Sequence, residues 1–132
     1  MQLYLVRHAE AASGDPDELR PLTPEGRAAA RELGQRLAAE GVRPDAVLTS
    51  PLLRARETAA ELARPAGLSP EPDDRLAPGA SAEDVRAAAG ERGGIVVVVG
   101  HQPDCGKIAA ALTGGPEPAF PPGGMLAIDL TG

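Results

Sequence analysis

An α/β sandwich around a mostly parallel central sheet is what this sequence predicts. Short apolar, β-prone runs alternate with amphipathic stretches along nearly the whole chain. One run, Ile95 to Val99 (IVVVV), is five consecutive β-branched residues. Such a run suits a strand buried on both faces, as in a parallel sheet covered by helices. Strict alternation of strands and helices then calls for right-handed crossovers. The 132 residues contain no repeat, and their Pro/Gly loops are too short to link domains, so one domain over 1–132 is expected.

Gln2 to Val6 (QLYLV) is apolar and β-prone, and predicts a buried first strand. Ala9 to Pro21 is broken by Pro and charge and reads as a surface loop. Thr23-Pro24-Glu25 starts a helix: Thr23 caps, Pro24 fits the first helical position, and Glu25 favours the positive end. That helix runs to about Glu40, with Ala30, Leu33 and Leu37 on one face, and Gly41 stops it. Asp45 to Thr49 is a second strand and Pro51 to Ala63 a second helix. Ala66 to Pro78 is Pro-rich and reads as loop with one extended turn. Ser81 caps a short helix to about Ala89. After the third strand and Gly100, a helix spans Asp104 to Leu112, a Pro/Gly loop spans Gly114 to Gly124, and Met125 to Leu130 is a closing strand.

Composition narrows the function classes. Hydrophobic residues make up 42% of the chain, which argues against disorder. Tyr4 and Phe120 are the only aromatics, so there is no stacking platform for single-stranded nucleic acid. A net charge of -6 also disfavours nonspecific nucleic-acid binding. One cysteine, Cys105, and two histidines leave no Cys-based or multi-histidine metal site, so neither metal nor cofactor is expected. The N-terminal apolar run meets Arg7 too soon for a signal peptide, and no stretch approaches a membrane span. A cytoplasmic protein is expected.

Ligands of open α/β sheets gather beyond the carboxyl ends of the strands. The first strand delivers Arg7-His8 there, the second Thr49-Ser50-Pro51 with Arg54 one helical turn on, and the third Gly100-His101. Both histidines of the chain thus follow core strands. Two guanidinium forks match phosphate oxygens, and a protonated His101 adds a third cation. Spreading charge over a transferring phosphoryl group is most of what such catalysis requires. His8 is then the nucleophile, kept neutral by its cationic neighbours, with a backbone carbonyl fixing its tautomer.

Each residue also has an ordinary structural reading. Arg54 could pair with Glu57 or Glu61 on its helix, and His101 could be a satisfied core histidine. Ser50 reads as a helix cap rather than a phosphate ligand, Thr58 as a near-core helix residue, and Cys105 as a small buried residue. Gln102, at a helix start, is placed to offer its backbone N–H to phosphate. Lys107 and the acidic loop Asp15-Pro16-Asp17-Glu18 read as solvated. Order and spacing together favour the catalytic reading.

The segments LVRHAE, TSPLLRARETA and VVGHQP resemble the three signature segments of the histidine phosphatase (phosphoglycerate mutase-like) superfamily. Short length and the RPLTPEGR segment look most like its phosphohistidine phosphatases of the SixA type. The resemblance covers essentially the whole chain. It implies a three-layer α/β/α sandwich whose sheet is parallel apart from one antiparallel edge strand. It also implies a phosphate pocket of Arg7, His8, Arg54 and His101, with His8 phosphorylated. Two departures stand out. The family's usual glycine after the histidine is Ala9, and no carboxylic acid is placed to protonate a leaving alkoxide. Glu83 lies nearest in sequence, but it reads equally well as part of a helix cap. A missing acid hurts ester hydrolysis more than cleavage of a labile P–N bond, which points to protein phosphohistidine as substrate. A phosphomonoesterase for small metabolites and a non-catalytic phosphate-binding module are the rival expectations.

Overall fold

The computed structural model describes residues 1–130. Five strands form one sheet: β1 (Gln2–Arg7), β2 (Ala46–Thr49), β3 (Glu71–Pro72), β4 (Ile95–Gly100) and β5 (Met125–Asp129). Their spatial order is β3-β2-β4-β1-β5. Neighbours from β3 to β1 run parallel, and β5 lies antiparallel on the edge beside β1. Four helices cover it: α1 (Pro24–Ala39), α2 (Leu53–Ala63), α3 (Ala82–Ala89) and α4 (Asp104–Thr113). The fold is the α/β sandwich that the alternating pattern predicts.

The two-residue period of the strands sorts the core into two halves. Val6, Val47, Val97 and Val99 pack with Leu33 and Leu37 of α1 and with Ala55, Ala59 and Leu62 of α2. On the opposite face Leu3, Leu5, Leu48, Val96 and Val98 pack with Val85 of α3 and Ile108 of α4. Val96 to Val99 are each at most 1% exposed, so both faces of β4 are covered. Burying each such side chain contributes roughly 1.5–3 kcal/mol. Among the described residues no helix is long and apolar enough to cross a membrane.

The helix ends follow local chemistry. Thr23 Oγ1 accepts from Gly26 N at 2.9 Å, and Ser81 and Asp84 form a reciprocal capping box. Gly41, at φ 81°, ends α1 in the left-handed region that favours glycine. Several boundaries differ from expectation, most by a single residue. Leu52 is extended, so α2 starts at Leu53 rather than Pro51. The Pro-rich 66–78 segment contributes β3, which pairs Leu48 with Glu71 and Thr49 with Pro72. A proline is tolerated there because β3 is an edge strand needing few donors. The closing strand ends at Asp129, one residue early.

Register is what makes the site. β1 and β4 pair Arg7 with Gly100, and β2 and β4 pair Thr49 with Val99. The next residues, His8, His101 and Ser50, therefore leave three adjacent central strands on one edge. Two further hydrogen bonds fix that exit: His8 N to Gly100 O and Ser50 N to Val99 O, each 3.0 Å.

Candidate active site

His8 and His101 face each other at that edge, their ring centroids 5.2 Å apart and their planes tilted by 58°. Nδ1 of His8 lies 2.7 Å from the carbonyl oxygen of Ala9. A carbonyl only accepts, so Nδ1 carries the proton and Nε2 keeps its lone pair. The peptide of Ala9 is itself anchored, because Ala9 N donates to Thr58 Oγ1 at 3.0 Å. Thr58 in turn donates to Arg54 O at 2.8 Å. Thr58, read from sequence as an ordinary helix residue, thus supports the loop that holds the His8 tautomer.

Nε2 of His101 lies 2.7 Å from Ser50 Oγ, which also accepts from Leu52 N at 3.2 Å. The expected capping role of Ser50 does not hold: Leu52 is the N-cap of α2 and no side chain caps it, while Ser50 accepts from Leu52 N in the turn before the helix and bonds His101. Arg54 is 7% exposed, although it stands in the first turn of α2. It does not pair with Glu57 or Glu61, whose carboxylates bind Arg27 and both Arg31 and Arg64. Its partner is Asp17, at 3.2 Å. The acidic loop is therefore not simply solvated. Sequence reasoning misses Asp17: its spacing to Arg20 signals only their local ion pair, not the contact with Arg54.

Arg7 donates from Nη1 to Phe120 O at 2.9 Å. Its Nε and the Nδ1 of His101 are buried with no hydrogen-bond partner among the described residues. Unpaired buried polar atoms are costly and uncommon. Two at one sheet edge, beside two guanidiniums, suit a polar ligand that accepts hydrogen bonds.

Burial, rather than the neighbouring charges, is the main reason His8 protonates less readily than a free histidine; Arg54, Arg7 and Arg20 add to it, and the Ala9 bond opposes it. His101 is pushed down to about 4, by burial first and then by His8 and Arg54. The sequence predicts a protonated His101; in the free protein near pH 7 burial keeps it neutral instead. Gln102 turns its side chain back to cap α4, its Oε1 accepting from Gly106 N at 2.8 Å. Glu83 is exposed, without a hydrogen bond or ion pair among the described residues; its neighbour Asp84 makes the cap. Cys105 is buried, its thiol pushed up to about 12 by that burial, and Lys107 is exposed.

Comparison with known proteins identifies the family. The chain is 40% identical over 127 residues to an uncharacterised protein of Picosynechococcus sp., covering 87% of this chain and 74% of that one. It is 33% identical over 125 residues to the phosphohistidine phosphatase SixA of Escherichia coli K12, covering 89% of this chain and 78% of that one. A solved structure of the protein histidine phosphatase SixA complexed with tungstate superposes with a TM-score of 0.89 at 30% identity, covering 98% of this chain and 88% of the other. Residues 3–78, which carry Arg7, His8 and Arg54, match the histidine phosphatase superfamily (branch 1), and the chain belongs to that superfamily of hydrolases.

Proposed function

We propose that this chain is a metal-independent phosphatase working through a phosphohistidine intermediate on His8, and that its substrate is a protein phosphohistidine. The observation that carries the reading is the 2.7 Å bond from His8 Nδ1 to Ala9 O. It leaves Nε2 as the basic nitrogen of a neutral imidazole, the form that attacks phosphorus. Similarity to SixA, named a phosphohistidine phosphatase, supports the substrate class.

In the first step the Nε2 lone pair forms a bond to phosphorus while the substrate's P–N bond breaks. The leaving imidazole takes the electron pair and a proton from water. In the second step a water oxygen attacks phosphorus, its proton passing to the hydroxide left by the first step, the bond to Nε2 breaks, and orthophosphate departs. Arg7 and Arg54 bind the equatorial oxygens and stabilise charge in both transition states. His101 and the backbone N–H of Gln102 complete the set of donors. No acid is assigned on the leaving side, since Glu83 is exposed and makes no hydrogen bond or ion pair among the described residues. An imidazole leaving group tolerates that better than an alkoxide does. The partner is then a phosphorylated protein of a cytoplasmic phosphorelay or phosphotransfer system.

The test is a radiolabelled histidine-phosphorylated peptide, quenched in alkali to preserve the P–N bond. The wild type traps label, whereas His8→Ala traps none and turns nothing over. Turnover unaffected by a chelator is expected, together with preference for the peptide over aryl and sugar phosphates. Dependence on added divalent metal, or preference for sugar phosphates, sinks the corresponding part of the reading. Unchanged activity in His8→Ala sinks all of it.

A further inference from the structure

Arg54 reaches the sheet edge from α2, yet no side chain of α2 holds its guanidinium. The hold comes from the arm between β1 and α1. Asp17 accepts twice from it: its carbonyl oxygen from Nη1 at 3.0 Å and its Oδ2 from Nη2 at 3.2 Å. Its other carboxylate oxygen, Oδ1, accepts from Arg20 Nη1 at 3.1 Å. Arg20 is tied back in turn, its Nε donating to Ala12 O at 2.8 Å. One carboxylate thus bridges two guanidiniums, one buried in the site and one at its mouth.

A guanidinium has five N–H donors. Asp17 takes one from each Nη, which leaves Nε–H and one hydrogen on each Nη. A bidentate phosphate contact needs two. Asp17 can therefore hold the outer end of the fork while the side edge binds an anion. Holding a long, flexible side chain in place beforehand removes that ordering cost from ligand binding.

We propose that Asp17 is a positioning residue for Arg54: it sets the plane of the phosphate-binding fork, and Arg20 steadies Asp17. This rests on the reading of Arg54 as a phosphate ligand. Orthovanadate, which mimics the transferring phosphoryl group, is the probe. Asp17→Ala weakens vanadate inhibition about tenfold, and raises KM for the histidine-phosphorylated peptide to a similar degree, because the fork is no longer held. Asp17→Asn keeps an oxygen for Nη2 and recovers most of that loss. Glu18→Ala, at an exposed neighbour with no side-chain hydrogen bond or ion pair among the described residues, stays within about twofold of wild type. Thermal unfolding of each variant establishes that the fold is intact.

Unchanged vanadate affinity in Asp17→Ala overturns the proposal. So does tighter affinity, since Asp17 would then be competing with the anion for Arg54. Arg54→Gln separates this from the underlying reading. If Arg54→Gln weakens vanadate and Asp17→Ala does not, only the positioning role fails. If Arg54→Gln changes nothing, the phosphate role of Arg54 fails with it.

Discussion

His101 and Ser50 are joined by a 2.7 Å hydrogen bond that ties the end of β4 to the end of β2 beneath the site. Both are buried, at 4% and 0% exposure, so water does not substitute for either partner. Ser50 also accepts from Leu52 N, so one hydroxyl orients an imidazole and the start of α2 together. Ser50→Ala removes both bonds and leaves buried groups unpaired. Urea unfolding should show a loss of about 1–3 kcal/mol, with kcat/KM falling as well. A variant with wild-type stability and activity would show that this bond is incidental.

The parts of this arrangement legible in the sequence are those that a chain encodes locally. Arg7-His8 and Gly100-His101 follow apolar β-prone runs directly, so knowing where the strands end locates both histidines. The β-branched run at Ile95–Val99 announces burial on both faces. Contacts across long stretches of chain leave no such trace. Ser50 and His101 are 51 residues apart, and Asp17 and Arg54 are 37. Nothing in Asp15-Pro16-Asp17-Glu18 says that one of its acids closes on an arginine of α2. The charge of His101 was unreadable for another reason: counting arginines and acids in a sequence does not count lost water.

Thr58 acts on His8 through a single peptide unit. Ala9 N donates to Thr58 Oγ1, and Ala9 O accepts from His8 Nδ1. Thr58→Val keeps shape and volume but removes the acceptor, leaving the Ala9 N–H buried and unpaired. Release of that peptide loosens the tautomer lock. A fall in kcat of about tenfold, equivalent to roughly 1.4 kcal/mol, is expected in single-turnover assays. The His8 ring should also show a larger share of the Nε2–H tautomer by nitrogen NMR. An unaltered tautomer ratio would mean that Ala9 is held in place by other means.

Both histidines bind protons less readily folded than unfolded, His101 with a value of about 4 against an ordinary 6.5. Above pH 6.5 each is neutral in both states, and the shift has no effect on stability. Between 6.5 and about 4 the unfolded chain holds more protons, so stability falls as pH falls through that window. For His101 the loss is at most on the order of 3 kcal/mol. Denaturant melts at stepped pH measure it, and His101→Asn should flatten the slope in this range. The lowered proton affinity of His8 places the acid limb of kcat/KM, where His8 becomes protonated and can no longer attack, below pH 6.5. An acid limb above 6.5 would contradict it.

Gly26 seats α1 against the loop that leaves the site. A Cβ at this position would fall on the Glu10 carbonyl oxygen, with the Glu10 carbonyl carbon and nitrogen both at 3.0 Å. That oxygen already accepts from Thr23 N at 3.0 Å, at the helix cap, so it has little room to move. Glu10 stands two residues after His8, and displacing it pulls on the Ala9 peptide. Gly34 makes a similar close approach at the other end of the helix pair, where a Cβ would lie 2.7 Å from Glu61 O. Gly26→Ala and Gly34→Ala should each cost on the order of 1–3 kcal/mol through overpacking, reduced by up to about 1 kcal/mol from alanine's better helix propensity. Their effects on catalysis should differ. Gly26→Ala lowers kcat because it moves the chain that fixes the His8 ring, whereas Gly34→Ala leaves kcat near wild type at temperatures where it stays folded. Equal losses of kcat in both variants would mean that general loosening of the α1–α2 layer, rather than the Glu10 contact, governs the site.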